Sequence, residues 1–392
     1  MKILMVSDLA PPVVMGGVEN YIINLSKSLI KQGHEIHWIT SKLPNTKSEE
    51  DYEGIKIHRV PIPFSNHYTF PGRQLFFLTS LIKGIKLAKT MDIINVNTLV
   101  PGFLGWFIAK YSGKPSILFC HEFYGKLWQK VGQSLFEKYV YPIFEKLTSI
   151  SPYDWFACPS NYSKQSLINY GVPDNKITVI YHGIDNNLFN ANNNPINYKT
   201  KYGLKTNPTF GYLGRLSTKG TGQAKNLIAL LEATKYVVDE IPNAKLVLGG
   251  SGFEYLKRSI NHLNIQNNVI YVGRVPKKEG PSFLKACDVI VCPALSDGFC
   301  FLLAEASACG IAVIGTNRGS HKERIQNNKN GILTNSDPRS IADSIIKILK
   351  NAKLADKLGK NGIDVTKNLD WKRSAKKHLE IYQNLIAKNA HT

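Results

Sequence analysis

Two successive series of β and α segments run along this chain, and their alternation leaves few folds open. "KILMVSD" reads as a strand, and after a Pro and Gly loop "VENYIINLSKSLIKQG" repeats apolar residues at helical spacing and stops at Gly33. "HEIHWIT" is a second strand, and the rhythm continues through "DIINVN", the stretch from Gly102 to Tyr111, "PSILFC" and "WFACPS". A strand, helix, strand series builds a parallel sheet covered by helices, and such sheets take ligands at the carboxyl ends of their strands.

From Asn186 the texture changes. "NNLFNANNNPIN" holds seven asparagines in twelve residues, carries a proline and has no periodicity, so it reads as a linker. A second series follows: "TFGYLGR", "KNLIALLEATKYV", "AKLVLGG", "NVIYVG", "SFLKACDVIVCPA", "IAVIGT" and "ILT". The expected architecture is α/β, with two Rossmann-like domains of nucleotide-binding type facing a central cleft. The first spans residues 1–190 and is completed by a C-terminal helix, 371–392; the second spans 191–370. A length of 392 residues suits two cores.

Composition removes several classes. Six cysteines sit mostly in apolar stretches without a C-x-x-C pair, which argues against zinc and disulfide frameworks and for buried thiols in a reducing compartment. The N-terminal run is too short for a signal peptide, and no apolar run reaches membrane-spanning length, so the expected location is cytoplasmic, or peripheral on the cytoplasmic face of a membrane. The formal charge of +20 suits nucleic acid, anionic lipid or phosphorylated small molecules. Nucleic acid is disfavoured because no zinc-finger, RNP-type or helix-turn-helix signature accompanies the charge. From Gly54 to Met91 there is no acidic residue, while Arg59, Arg73, Lys83, Lys86 and Lys89 gather beside Phe64, Tyr68, Phe70, Phe76 and Phe77. This composition fits the headgroup region of an anionic bilayer, and equally an ordinary helix with its lysines in water.

Four motifs carry candidate chemistry. In "VVMGGVEN", Gly16 and Gly17 stand between a strand and a helix, where backbone N–H groups can approach a phosphate or sugar oxygen; many such pairs serve only as turns. This is not G-x-G-x-x-G, and no acid ends the second strand, so a dehydrogenase is disfavoured. In "GYLGRLSTKGTGQAKNLIALLEA", Arg215 leaves a strand end and Lys219 and Lys225 follow, suiting either a diphosphate or a solvated basic loop. Gly249, Gly250 and Gly252 in "KLVLGGSG" suit an anion-binding nest or a turn. In "SDGFCFLLAEASACG", Asp297 precedes Glu305 by eight residues. Asp297 could cap the helix. Glu305 is surrounded by apolar residues on every helical face, so it either pairs with a distant Arg or Lys or accepts hydrogen bonds from the hydroxyls of a ligand.

Taken in order, "GGVEN", "CHEF", "PSNYSK", "YHGIDNNLF", "GYLGRL", "KNLIALLEA", "DVIVCPALSDGFCFLLAEASACG", "NRGSHKE" and "NKNGIL" resemble the retaining, nucleotide-sugar-dependent glycosyltransferases of the GT-B fold known as glycosyltransferase family 4. The resemblance spans nearly the whole chain. It places an E-x7-E pattern on Asp297 and Glu305, with Glu305 holding the nucleotide ribose and Asp297 facing the donor hexose. The usual "GFG" is "GFC" here, so the backbone amides of Phe299 and Cys300, after Gly298, stand where sugar hydroxyls would meet them. It implies that Arg215 and a lysine, Lys225 by spacing and otherwise Lys219, hold the diphosphate. Gly17 then contacts the distal phosphate, His121 lies close to the reacting carbon and Glu323 has a less defined role.

The implied reaction moves a hexose from a nucleoside-diphosphate sugar to an acceptor hydroxyl with its anomeric configuration kept. No Asp-x-Asp occurs in the sequence, so no divalent metal or other cofactor is expected and EDTA should leave transfer unchanged. The acceptor expected from the basic, aromatic segment is a membrane lipid or lipid-linked sugar. A sugar-nucleotide epimerase or phosphorylase on the same architecture, and a non-catalytic sugar-nucleotide or lipid-binding protein, remain as alternatives.

Overall fold

The computed structural model describes every residue except 13–15, 63–71, 98, 133, 193–197, 219 and 392. Lys219, together with Phe64, Tyr68 and Phe70 of the basic segment, lies outside the described residues. The chain divides into two compact units: Met1–Gly125 with Val140–Gly183 and Trp371–Thr392, and Lys126–Tyr139 with Ile184–Asp370.

The first unit is built on an 8-stranded sheet. Its strands are β1 (Lys2–Val6), β2 (Glu35–Ser41), β3 (Glu49–Tyr52), β4 (Ile55–Val60), β5 (Ile93–Asn97), β6 (Ser116–Phe119), β7 (Trp155–Cys158) and β8 (Ile177–Val179). They lie in the order β3-β4-β2-β1-β5-β6-β7-β8 and pair in parallel except β3 with β4. Successive side chains of a strand point to opposite faces, which splits β1 between two cores. Ile3 and Met5 pack with Tyr21 and Leu25 of the helix Gly17–Ile30 and with Ala375 and Tyr382 of the helix Trp371–Asn389. Leu4 and Val6 pack on the other side with Phe76, Leu104 and Ile108. The closing helix is also pinned by a 2.7 Å hydrogen bond between the Tyr21 hydroxyl and Nε2 of His378.

Strands β3 and β4 form a hairpin that the sequence pattern did not announce. Its turn places Glu53 (φ 55) and Gly54 (φ 85) in the left-handed region, and the Gly54 N–H donates to Oδ1 of Asp51 at 2.9 Å.

The second unit carries a 6-stranded sheet of β9 (Thr209–Leu213), β10 (Lys245–Gly249), β11 (Val269–Tyr271), β12 (Val289–Cys292), β13 (Ala312–Thr316) and β14 (Ile332–Thr334). All pairs are parallel, in the order β11-β10-β9-β12-β13-β14. The winding reverses at β9, which has β10 on one side and β12 on the other. Loops after β9 and β12 therefore diverge at the carboxyl edge of the sheet, with the loop after β10 beside that of β9, and such a topological switch point is where doubly wound sheets bind ligands.

The division between units falls after Gly183 rather than after residue 190. Ile184 donates its N–H to the Leu369 carbonyl at 3.1 Å, and Phe189 is buried so closely against Gly280 that a Cβ on that glycine would lie 2.9 Å from its ring. The asparagine-rich stretch thus begins as an anchored part of the second unit. Residues 126–139 also group there, with Trp128 and Val131 buried. Among the described residues no helix is long and apolar enough to cross a membrane.

Candidate functional site

At the switch point of the second unit, the ends of β9 and β10 are pressed together. A Cβ at Gly250 (φ +135) would sit 1.7 Å from the Gly214 carbonyl oxygen, so only glycine fits. Leu216 donates its N–H to the Ser251 carbonyl at 2.7 Å, which binds the Arg215 loop to the loop after β10. Gly250 itself is no anion nest: its N–H donates to the Gly273 carbonyl at 2.9 Å, and its own carbonyl accepts from the Tyr271 hydroxyl at 2.8 Å. Its service is the close approach that carries Arg215, which is exposed, to the edge of the sheet.

The loop after β12 contains Asp297, and its carboxylate is turned back on its own loop. Oδ2 meets Nζ of Lys225 at 2.8 Å, while Oδ1 accepts the N–H groups of Phe299 at 3.1 Å and Cys300 at 2.6 Å. This corrects the expectation for those two amides: the Asp297 carboxylate occupies the N–H groups assigned to sugar hydroxyls. Asp297 also does not cap the helix Phe301–Ala308, whose N-cap residue is Cys300. Burial pushes the Asp297 carboxyl upward, but the charges of Lys225 and His321 outweigh it and hold the group below its ordinary value. Lys225 closes the 3-10 turn Gly220–Lys225, so its cation is committed to Asp297, and that pairing separates it from the exposed Arg215.

Glu305 lies half-buried on the helix Phe301–Ala308. Among the described residues it has neither an ion pair nor a side-chain hydrogen bond. Burial raises its carboxyl to about 7; the nearby charge of Lys277 lowers it and that of Asp185 raises it. The choice left open by the sequence, an ionic partner or a ligand, is narrowed by geometry that, among the described residues, brings no cation into ion-pair contact with Glu305.

Of the remaining neighbours, only Glu323 was legible in the sequence. Asp297 accepts the Ser320 N–H at its backbone carbonyl at 2.9 Å, and a Cβ on Gly319 (φ +57) would lie 2.6 Å from the Asp297 nitrogen. That approach delivers the short helix His321–Arg324, bearing the half-buried Glu323, to the same loop. The Arg324 guanidinium stands 4.3 Å over the Phe299 ring. His321, Cys292, Cys300 and Asp297 bring one ligating atom each within 4.8 Å of one another. Their positions, 292, 297, 300 and 321, match no metal-binding spacing, so only the fold gathers them.

The other predicted residues belong to the first unit. Gly16 precedes the helix Gly17–Ile30, but its N–H donates to Oε2 of Glu19 at 2.7 Å. Glu19, which sequence reasoning passed over, is buried at that helix end; an acid three residues past the N-cap was the available signal. Gly17 opens the helix. His121 follows β6, with Nε2 3.2 Å from Oδ1 of Asn97. Asn97 donates its own Nδ2 to the Asn95 carbonyl, which leaves Oδ1 to accept and places the proton on Nε2 of the imidazole. Burial, then the neighbouring His378, lowers the His121 pKa to about 3, so the ring is neutral at any ordinary working pH.

Two family descriptions match the chain. "Glycosyltransferase Family 4" matches residues 15–188, and "Glycosyl transferases group 1" matches residues 196–365. The chain belongs to the family 4 glycosyltransferases. The alpha-monoglucosyldiacylglycerol synthase of Streptococcus pneumoniae is 28% identical over 323 residues, covering 80% of this chain and 70% of the synthase. Sucrose-phosphate synthase from Thermosynechococcus elongatus superimposes on this glycosyltransferase with a TM-score of 0.84 at 22% identity, over 99% of each chain. Anabaena HepE, solved with UDP-glucose, gives 0.80 at 19% identity, over 98% of this chain and 100% of HepE. These neighbours share its GT-B fold of two parallel-sheet domains.

Proposed function

We propose that this glycosyltransferase moves a hexose from a nucleoside-diphosphate sugar to the hydroxyl of a lipid or lipid-linked saccharide, with the anomeric configuration kept and without a metal at the diphosphate. The observation that carries the reading is Glu305, a half-buried carboxylate without an ionic partner among the described residues, on the helix that starts at the switch-point edge. An ionised carboxylate in such surroundings is tolerated when it accepts good hydrogen bonds, and the two adjacent hydroxyls of a ribose supply them. HepE, solved with UDP-glucose, and the synthase named for a glucosyl diacylglycerol lend support to the donor and acceptor classes.

Arg215 is the cation placed to take the diphosphate, because it is exposed and free of the Asp297 pairing that engages Lys225. As the bond from the anomeric carbon to the phosphate oxygen breaks, the electron pair stays on that oxygen. The oxygen takes the proton of the acceptor hydroxyl, whose own oxygen bonds the carbon from the same face. Arg215 stabilises the charge that grows on the diphosphate. His121, neutral and oriented by Asn97, contributes position and hydrogen bonding rather than a proton supply.

The deciding experiment incubates the protein with labelled UDP-, GDP- and ADP-hexoses, with and without lipid acceptors, in EDTA. The expected result is acceptor-dependent transfer with the donor's anomeric configuration, at a rate that Mg²⁺ or Mn²⁺ does not raise. Activity lost in EDTA and restored by Mn²⁺ overturns the metal-free part; an isomerised donor without transfer overturns the whole reading.

Membrane contact has a physical basis in the helix Gly72–Ala88. Leu78 is 64% and Ile82 69% exposed, and Lys86 and Lys89 follow at helical spacing, also exposed. Apolar side chains beside lysines suit an interface with anionic lipid. The protein is expected to float with vesicles containing anionic phospholipid and to stay behind with neutral ones. Replacing Leu78 and Ile82 with aspartate should abolish flotation, and equal behaviour with both vesicles sinks the idea of a lipid interface.

A further inference from the structure

We infer that Cys292, Cys300, His321 and Asp297 form a structural zinc site that ties the end of β12, the Asp297–Cys300 loop and the helix His321–Arg324 together. The inference is independent of the donor reading, because its readout is bound metal rather than activity.

The geometry is close to what a tetrahedral ion requires. Zn–S and Zn–N bonds of about 2.3 and 2.0–2.1 Å set ligand-to-ligand edges of roughly 3.5–3.8 Å. Sγ of Cys292 lies 3.5 Å from Nε2 of His321 and 3.3 Å from Sγ of Cys300, and all four ligating atoms fall within 4.8 Å of one another. A tetrahedral ion would widen the Cys292–Cys300 edge slightly and draw any separation near the 4.8 Å bound in by about 1 Å. Both sulfurs and the imidazole are buried.

The proton arrangement is already that of a ligand histidine. The hydroxyl of Thr316 spends its single proton on the Ala294 carbonyl. Toward Nδ1 of His321, at 3.2 Å, that hydroxyl oxygen can therefore only accept, and the Thr316 carbonyl, also at 3.2 Å, can only accept. Nδ1 must carry the proton, and in the neutral ring Nε2 presents its lone pair to Cys292. A backbone carbonyl holding the far nitrogen is the usual outer support of a metal-binding imidazole.

Asp297 supplies the fourth position. A carboxylate offers about four lone-pair directions. Two on Oδ1 accept Phe299 and Cys300, and one on Oδ2 accepts Lys225, leaving one on Oδ2. Charge balances as well: two thiolates and one carboxylate against a divalent ion leave one negative charge, and Lys225 lies 2.8 Å from Asp297 to offset it. With four protein ligands the ion has no open position for a phosphate, which makes it structural and consistent with a transfer step that ignores added Mg²⁺ or Mn²⁺.

The test measures metal in the whole protein, purified in reductant from zinc-supplemented cells. About one zinc per chain is expected by mass spectrometry of the metal, released by an organomercurial. Cobalt-loaded protein should show thiolate-to-cobalt charge-transfer absorption. Cys292→Ser and Cys300→Ser should drop zinc to background, whereas Cys120→Ser, in the other unit, should keep it. The inference is overturned if reduced wild-type protein retains no zinc after reconstitution and gel filtration, if the Cys292 and Cys300 variants still hold it, or if the two sulfurs are found joined with the loss of two hydrogens. Wild-type stoichiometry and the cobalt spectrum decide the matter even where a variant fails to fold.

Discussion

Glu305→Gln is expected to bind the nucleotide-sugar donor roughly 100- to 1,000-fold more weakly than the parent, the loss of two hydrogen bonds to a charged acceptor. Its fold should survive, because the substitution removes a carboxylate that has no ionic partner among the described residues and leaves an uncharged group of nearly the same shape. Calorimetry with an intact or non-hydrolysable donor checks the first point and thermal melting the second. Parent-like affinity in the variant ends the assignment of Glu305 to the ribose.

The same residue sets a pH dependence whose sign can be worked out. Burial raises the Glu305 carboxyl from 4.5 to about 7, and ribose hydroxyls need the ionised form. The donor affinity of the parent should therefore rise about tenfold from pH 6 to pH 8, with proton release on binding, and the glutamine variant should lose that dependence. The stability of the donor-free protein runs the other way. Because the folded-state value is raised, this group's contribution is fully present below about pH 4.5 and is lost as pH rises through about 7. Melting curves of parent and variant should therefore converge at low pH and separate at high pH, the variant being the more stable. Measuring at saturating donor reverses the order.

How far the sequence reached depended on the range of the interaction concerned. Alternating strands and helices were legible because each is a local pattern, and the double β/α series led to two parallel-sheet units. The β3–β4 hairpin escaped because its signal is two residues, Glu53 and Gly54, at the tip of short, half-exposed strands. Glu305 was legible because a carboxylate in an apolar helix is a local anomaly. The direction of Asp297 was not: its shorter side chain returns to Phe299, Cys300 and Lys225, and that choice depends on a turn 72 residues earlier in the chain. The choice between nest and turn at Gly250 stayed open in the sequence, since its N–H partner, the Gly273 carbonyl, lies on a neighbouring loop. The gathering of Cys292 with His321 across 29 positions needed the fold outright.

Arg215→Ala is expected to lower kcat by roughly 100- to 1,000-fold, the usual loss when one fixed donor to a developing charge is removed. Because the side chain is exposed, the melting temperature should stay close to the parent's. Lys225→Ala should behave differently, since Lys225 neutralises Asp297 at 2.8 Å and its removal leaves a mostly buried carboxylate without its cation. That variant loses stability as well as rate. In zinc-free protein, adding Asp297→Asn removes the orphaned charge without costing a metal ligand, so the double variant should recover melting temperature, while rate recovers only if Lys225 acts through Asp297 alone. Single-turnover rates and melting curves of the four proteins separate the cases. A parent-like rate for Arg215→Ala rules out its role at the diphosphate, and an unchanged melting temperature for Lys225→Ala rules out a structural role for the Lys225–Asp297 pair.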